Sequence, residues 1–392
     1  MTNDQAGRQS LAKVGAIVGI GHTDWAGDYR RVQSAIKPFD SVGYGVQALQ
    51  NALCDAGLKK SDIDGLIVGP TTAYERVGEV LGLNVKWGAT ADAMQGIIQA
   101  CMAIHSGMAE TIALVYGNDQ KSAGVNYGGA FAAYGSEYLS YVYHAPWGLT
   151  SQGALYALTM QRYMHETGFT ERDLAEVAVA QRLAASLNPN AIMRKKITIE
   201  DYLGSPYICE PLHLLDYCLV NDGGVALIIT SAEKARRISP HPVIIHGVGR
   251  YDLNVGATSL EPRLTDYYRS AQRQAGEQMF NMAGVSHKDV SAVQIYDSFS
   301  CHVPLALEGY GYCDVGDAGR FLREEGISLD GNLPTNTSGG HLSESYMQGW
   351  NHQVEAVRQL RGESGDRQIS DCRFVHYCSD VAGKAVSILY GR

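Results

Sequence analysis

Apolar positions along this chain fall into two rhythms. Short apolar runs at 14–21, 112–116, 373–377 and 385–390 are too brief for helices and predict buried strands. Between such runs, apolar residues recur at helical spacing. Val42, Val46, Leu49 and Leu53 mark one helix, with Asp40 or Ser41 as its cap. Further helices are predicted over 91–107, 171–188, 265–282 and 351–361. The 91–107 segment is rich in small residues, which permit close packing and predict a place near the centre of the fold.

The pattern also repeats. Residues 51–69 can be laid over 278–296 without a gap, at an offset of 227 (278 − 51). Ala56-Gly57 then falls on Ala283-Gly284, and Asp62-Ile63 on Asp289-Val290. Each copy reads as a helix, a glycine C-cap, a short polar link and a buried strand. Duplication of one half of an α/β protein is the simpler account of such agreement. Between the copies lies an insert at 121–207 that carries Tyr127, Tyr134, Tyr138, Tyr141, Tyr143, Tyr156 and Tyr163. Such aromatic density fits a ligand platform, a subunit interface or a satellite core.

Bulk composition narrows the function classes. A chain of 392 residues with 45% hydrophobic and 19% charged residues is ordinary for an α/β enzyme of two halves. The net charge is −9, and the longest basic run is Arg194-Lys195-Lys196, which argues against nucleic acid. No apolar stretch reaches membrane-spanning length, and the polar start lacks a signal core, so a cytoplasmic location is expected. Eight cysteines are scattered without a C-x-x-C pair, so no metal is expected.

The segment Asn336-Thr-Ser-Gly-Gly-His-Leu-Ser-Glu-Ser-Tyr346 places reactive side chains just after two glycines that let backbone approach a ligand. This loop resembles the glycine-glycine loop of the thiolase superfamily, whose eighth residue is a catalytic histidine; here it is Tyr346. The resemblance extends to Tyr156-Ala-Leu, Arg162-Tyr163-Met164, Asn188-Pro189-Asn190-Ala191, Pro211-Leu212 and Asn221-Asp222-Gly223-Gly224-Val225-Ala226. It points to the sterol-carrier-type, lipid-transfer-protein branch. The implied fold is a five-layer αβαβα arrangement of two pseudo-repeated halves, 10–120 plus 208–240 and 241–392, with 121–207 as a loop domain. A homodimer over an acyl-CoA site is implied with it.

The departures from the family pattern set the chemistry. Acyl transfer needs a cysteine at the start of the central helix. Laid over Val85-Lys-Trp-Gly-Ala-Thr-Ala-Asp-Ala-Met94, that position falls on Gly88, which would leave room for a bulky acyl chain. The second landmark reads Tyr296-Asp-Ser-Phe299, so tyrosine also replaces its asparagine. The resemblance is closest to cysteine-less retro-aldolases that act on steroid side-chain CoA thioesters. Tyr296 and Tyr346 become the candidate acid/base pair, because a phenol can both donate and accept a proton. Gly340, His341, Asp297 and Gly88 are candidate supporting residues. Cys378 is an alternative nucleophile, Cys101 is expected to pack, and Tyr251 is expected near the centre of the second half. His246 and His302 are read as satisfied core or surface histidines, and His352 as a helix cap.

The implied reaction splits a β-hydroxyacyl-CoA into a ketone and a short acyl-CoA such as propionyl-CoA or acetyl-CoA. It needs no cofactor, CoA being part of the substrate, and the branch implies a small OB-fold acyl-CoA-associated partner. An acyltransferase using Cys378 or Cys101 and a non-catalytic acyl-CoA or lipid-binding subunit are the alternatives.

Overall fold

The computed structural model describes residues 10–36, 39–125, 147, 149, 151–253, 266, 267, 269–380 and 383–392. Tyr127, Tyr134, Tyr138, Tyr141 and Tyr143 therefore lie outside the described residues. The strands are β1 Gly15–His22, β2 Gly65–Val68, β3 Trp87–Thr90, β4 Thr111–Asn118, β5 Tyr207–Cys209, β6 Leu212–His213, β7 Gly223–Ser231, β8 Val243–Asp252, β9 Ala292–Ile295, β10 Phe374–Ser379 and β11 Lys384–Gly391. Nine of them align in the order β3-β2-β4-β7-β1-β8-β11-β10-β9, and β5 pairs with β6 apart.

That order is a duplication read outward from its middle. On one side β2 and β4 are parallel, while β7 runs antiparallel to both β4 and β1. On the other, β9 and β10 are parallel, while β11 runs antiparallel to both β10 and β8. The seam between β1 and β8 is only Ala16–Ile244 and Ile17–Val243.

The repeated segment keeps its register in space. The Ser41–Ala56 helix, capped by the Asp40 carboxylate, ends on Gly57 at φ 64°; the Arg269–Ala283 helix ends before Gly284 at φ 69°. Lys60–Asp62 and His287–Asp289 each form a 3-10 turn, and Gly65–Val68 matches Ala292–Ile295. The helix ends, the glycines, the 3-10 turns and the strands are each separated by the offset of 227 seen in the sequence.

Period-two alternation separates the layers. Ile67, Ile112 and Leu114 face an inner core, whereas Leu66, Val68, Ala113 and Val115 face an outer one with Ala48, Leu49 and Ala52 of the Ser41–Ala56 helix. Likewise Val386, Ile388 and Tyr390 point inward, and Ala385 and Leu389 outward toward Ala271, Ala275 and Met279. The inner core holds the Ala93–His105 and Trp350–Arg361 helices, fixed together where Gln353 Nε2 donates to Ala93 O at 2.7 Å. A Cβ on Gly96 would sit 3.0 Å from the Trp350 ring, so the small residues do admit close approach. Helix, sheet, paired helices, sheet and helix make the five layers. No helix among the described residues is long and apolar enough to cross a membrane.

Burial also gives the fold a pH dependence. His376, between Tyr312 Oη at 2.7 Å and Ser387 Oγ at 2.6 Å, is pushed down to about 3 by burial and then by His287. His22 is pushed down to about 4 by burial and then by Arg358. Each binds fewer protons folded than unfolded, where histidine titrates near 6.5. Their stabilisation is therefore present above pH 6.5 and lost as pH falls toward the folded values. Asp216, pushed up to about 6 by burial, works in the opposite sense between 3.8 and 6 and offsets part of this. The melting temperature is expected to fall between pH 6.5 and 4, and to fall less steeply in His376→Gln; calorimetry across that range checks both.

Candidate active site

Tyr296 follows the last residue of β9, and its N–H donates to Cys378 O on the adjacent β10 at 2.9 Å. The glycine loop brings the second tyrosine to it. Gly339 has φ 108° and Gly340 φ 57°, in the region glycine adopts without steric cost. A Cβ on Gly340 would lie 2.3 Å from Asp297 Oδ2, and one on Gly339 2.6 Å from Ala185 Cβ. The chain then makes a single π turn, Gly340–Glu344, and straightens at Ser345. Tyr346 is fixed by its backbone: its N–H donates to Asn221 Oδ1 at 2.7 Å, and Asn118 Nδ2 holds Asn221 O at 3.0 Å. The result is a direct hydrogen bond between Tyr296 Oη and Tyr346 Oη, 3.0 Å apart.

Tyr296 is buried and Tyr346 half-buried. Burial, and then its neighbour Tyr346, push the Tyr296 phenol well above its ordinary value of 10, so it stays protonated.

A polar group underlies the pair. The His341 ring stands edge-on to Tyr296, with centroids 4.7 Å apart, and 4.8 Å from Tyr346. Asp297 Oδ1 accepts the His341 backbone N–H at 2.9 Å and lies 3.3 Å from His341 Nδ1 and 2.8 Å from His352 Nε2. Gly349 N–H donates to His341 Nε2 at 2.9 Å. Nε2 is therefore the acceptor nitrogen and Nδ1 carries the proton, 3.3 Å from Asp297 Oδ1. Burial, and then His352, hold His341 well below its ordinary value, so the ring is neutral. Asp297, His341 and His352 bring three ligand-type atoms within 4.8 Å of one another, a donor set that suits transition metals. The tautomer opposes that use: a cation on Nδ1 would need an imidazolate, because Nε2 already accepts a hydrogen bond. The group reads instead as a positioning network under the tyrosines.

The structure thus joins Tyr296, Tyr346, Asp297, Gly340 and His341, and corrects three other expectations. Gly88 does not start the central helix. It lies on β3, and that helix starts at Ala93 behind an Asp92 cap. A Cβ on Gly88 would lie 1.8 Å from Tyr74 Oη, so the space opens onto a tyrosine rather than an acyl chain. Tyr251 does not pack centrally; it is 40% exposed on β8, opposite Ala385. His352 is no cap, since Gly349 takes that position and His352 is buried against Asp297.

Neither candidate cysteine offers a ready nucleophile. Cys378 is buried on β10, its thiol pushed well above its ordinary value by burial and then by Asp380. Cys101 is buried, its thiol pushed up to about 12 by that burial, and its Sγ would be 3.2 Å from a Cβ on Gly15. Asn118 and Asn221, which hold Tyr346, were not singled out in the sequence, although Asn221 opens the Asn-Asp-Gly-Gly motif. A cleft of about 870 Å³ between His22, Asn51, Asn190 and Arg358 has neither tyrosine in its lining.

A thiolase C-terminal domain-like family model matches residues 257–392. The chain is 34% identical over 374 residues to a steroid side-chain-cleaving aldolase of Thermomonospora curvata, covering 90% of this chain and 92% of that one. It is 33% identical to a 17-hydroxy-3-oxo-4-pregnene-20-carboxyl-CoA lyase of Mycobacterium tuberculosis, over 90% and 93% of the two chains. The solved Ltp2-ChsH2(DUF35) aldolase superposes with a TM-score of 0.85 at 31% identity, over 98% of this chain and 99% of that one. Human mitochondrial 3-ketoacyl-CoA thiolase, at 16% identity and a TM-score of 0.70, shares the fold alone. With this agreement running nearly end to end, the chain belongs to the steroid side-chain-cleaving aldolase family of the thiolase superfamily.

Proposed function

We propose that this protein cleaves a steroid side-chain β-hydroxyacyl-CoA by a retro-aldol reaction, with Tyr346 and Tyr296 as its proton-handling pair. The observation that carries the reading is the 3.0 Å contact between the two hydroxyls, in a frame whose candidate nucleophiles, Cys378 and Cys101, are buried with their thiols pushed up by that burial. Tyr346, the less buried of the two, enters the reaction as its phenolate and takes the proton of the substrate hydroxyl. The O–H electron pair becomes a carbonyl, the Cα–Cβ bond breaks, and the electron pair passes to an acyl-CoA enolate. Tyr296 stays protonated and donates to the Tyr346 oxygen, which lowers the cost of the phenolate that begins the cycle and is regenerated when Cα is protonated. Tyr346 then returns its proton to Cα. Protons balance, and the ketone leaves with a short acyl-CoA such as propionyl-CoA or acetyl-CoA.

No step of this scheme draws on a cofactor. The similarity to the Ltp2-ChsH2(DUF35) aldolase supports a small partner subunit here, and we extend this to an acyl-CoA-associated OB-fold protein and a homodimeric chain. Incubation of the protein, alone and with a co-encoded small partner, with a 17-hydroxy steroid side-chain CoA thioester tests the reading. Mass spectrometry is expected to show the 17-ketosteroid and propionyl-CoA together. Tight binding of the thioester without either product, in both arms, would return the protein to a carrier role.

A further inference from the structure

We propose that Ser298 is an activated nucleophile and that the protein carries a second activity, hydrolysis of acyl-CoA thioesters. Ser298 Oγ lies 3.0 Å from His302 Nε2, and His302 Nδ1 lies 2.9 Å from Asp380 Oδ1. Gln272 Nε2 donates to Asp380 Oδ2 at 2.9 Å and fixes the carboxyl group from its other side. An acceptor at Nδ1 places the imidazole proton there and leaves Nε2 free to accept. The Ser298 hydroxyl must therefore donate to His302. Nucleophile, base and orienting carboxylate stand in the order that activates a serine, an arrangement recognised by geometry rather than by fold.

Two further observations separate this group from an ordinary buried network. Ser387 Oγ also meets a histidine, His376, at 2.6 Å, but the far side of that ring is held by the Tyr312 phenol, and Ser387 and His376 are both fully buried. Ser298, by contrast, keeps 8% exposure while His302 and Asp380 keep 1% or less. Ser298 also lies two residues beyond Tyr296, whose ring stands edge-on to His302 with centroids 6.1 Å apart. The group therefore flanks the tyrosine pair, and the inference rests on the reading that acyl-CoA binds there.

In the reaction, Ser298 Oγ attacks the thioester carbonyl carbon as His302 Nε2 takes its proton. The C–S bond breaks, and the CoA thiolate leaves with that proton. Water, deprotonated by His302, then attacks the acyl-serine ester, and the C–O bond breaks to release a carboxylic acid and restore the serine. A short acyl-CoA, including the product of C–C cleavage, is the substrate class this step takes.

The test uses propionyl-CoA and a fluorophosphonate on the full chain. Expected are steady release of free thiol, a fluorophosphonate adduct on the peptide containing Ser298, and loss of both in Ser298→Ala with its circular dichroism retained. Asp380→Asn should slow labelling by about 10³-fold or more through the wrong tautomer. Ketone release from the steroid thioester is followed in the same wild-type preparation. Ketone without adduct or thiol release overturns this inference alone. Adduct and thiol release without ketone overturn the retro-aldol reading and leave Ser298 as a nucleophile, and absence of all three overturns both.

Discussion

Tyr346→Phe is expected to lower kcat for ketone release by about 10²- to 10⁴-fold, the range over which a positioned acid/base group acts. The change removes one hydroxyl and almost no volume. The backbone that carries it is held by Asn221 and Asn118, neither of which touches the phenol oxygen in those bonds. Thermal stability should therefore move by about 1 kcal/mol, the scale of one hydrogen bond. Tyr296→Phe removes the same 3.0 Å contact from the other side and should depress kcat as well. Because the two act as one unit, the double variant should be scarcely slower than Tyr346→Phe alone. Turnover unchanged in Tyr346→Phe would remove Tyr346 from the mechanism.

The duplicated frame was legible in the sequence because its signals are local. A helix ending on glycine and a short apolar strand declare themselves within twenty residues, and the two copies hold one offset throughout. Tyr296 and Tyr346 were legible through landmarks of a resembling family, but their mutual contact was not. It depends on Gly339 and Gly340 turning the chain where no other residue fits. Gly88 was misplaced because Trp87-Gly-Ala-Thr90 is short and mixed; pairing with β2 settled it as a strand, and the helix waited for the Asp92 cap. His352 was misread for a different reason. At a helix start it looks like a cap, and its burial against Asp297 arises only when the Trp350–Arg361 helix enters the central layer. The same limit hid the Ser298–His302–Asp380 group, whose members are close in sequence only in part.

Removing Asp297 is expected to cost more stability than any other single change at the site. Its carboxylate accepts the His341 backbone N–H and lies 3.3 Å from His341 Nδ1 and 2.8 Å from His352 Nε2, with all three residues sealed from solvent. Asp297→Ala would leave the His341 N–H without its acceptor, at about 1–3 kcal/mol for a buried unsatisfied donor, and both imidazoles without the carboxylate beside them. A loss of about 3–5 kcal/mol is the expected result in urea unfolding, the scale seen when one partner of a buried pair is removed. Asp297→Asn separates packing from charge. Its amide oxygen can still accept the His341 backbone N–H, so part of the stability should return. Its amide nitrogen, a donor, would face the protonated Nδ1, which Gly349 keeps in that tautomer, so the imidazole beside both tyrosines is pushed from its place. Ketone release in Asp297→Asn should then fall by tenfold or more with a far smaller change in unfolding midpoint, a split that a purely structural role for Asp297 would not produce.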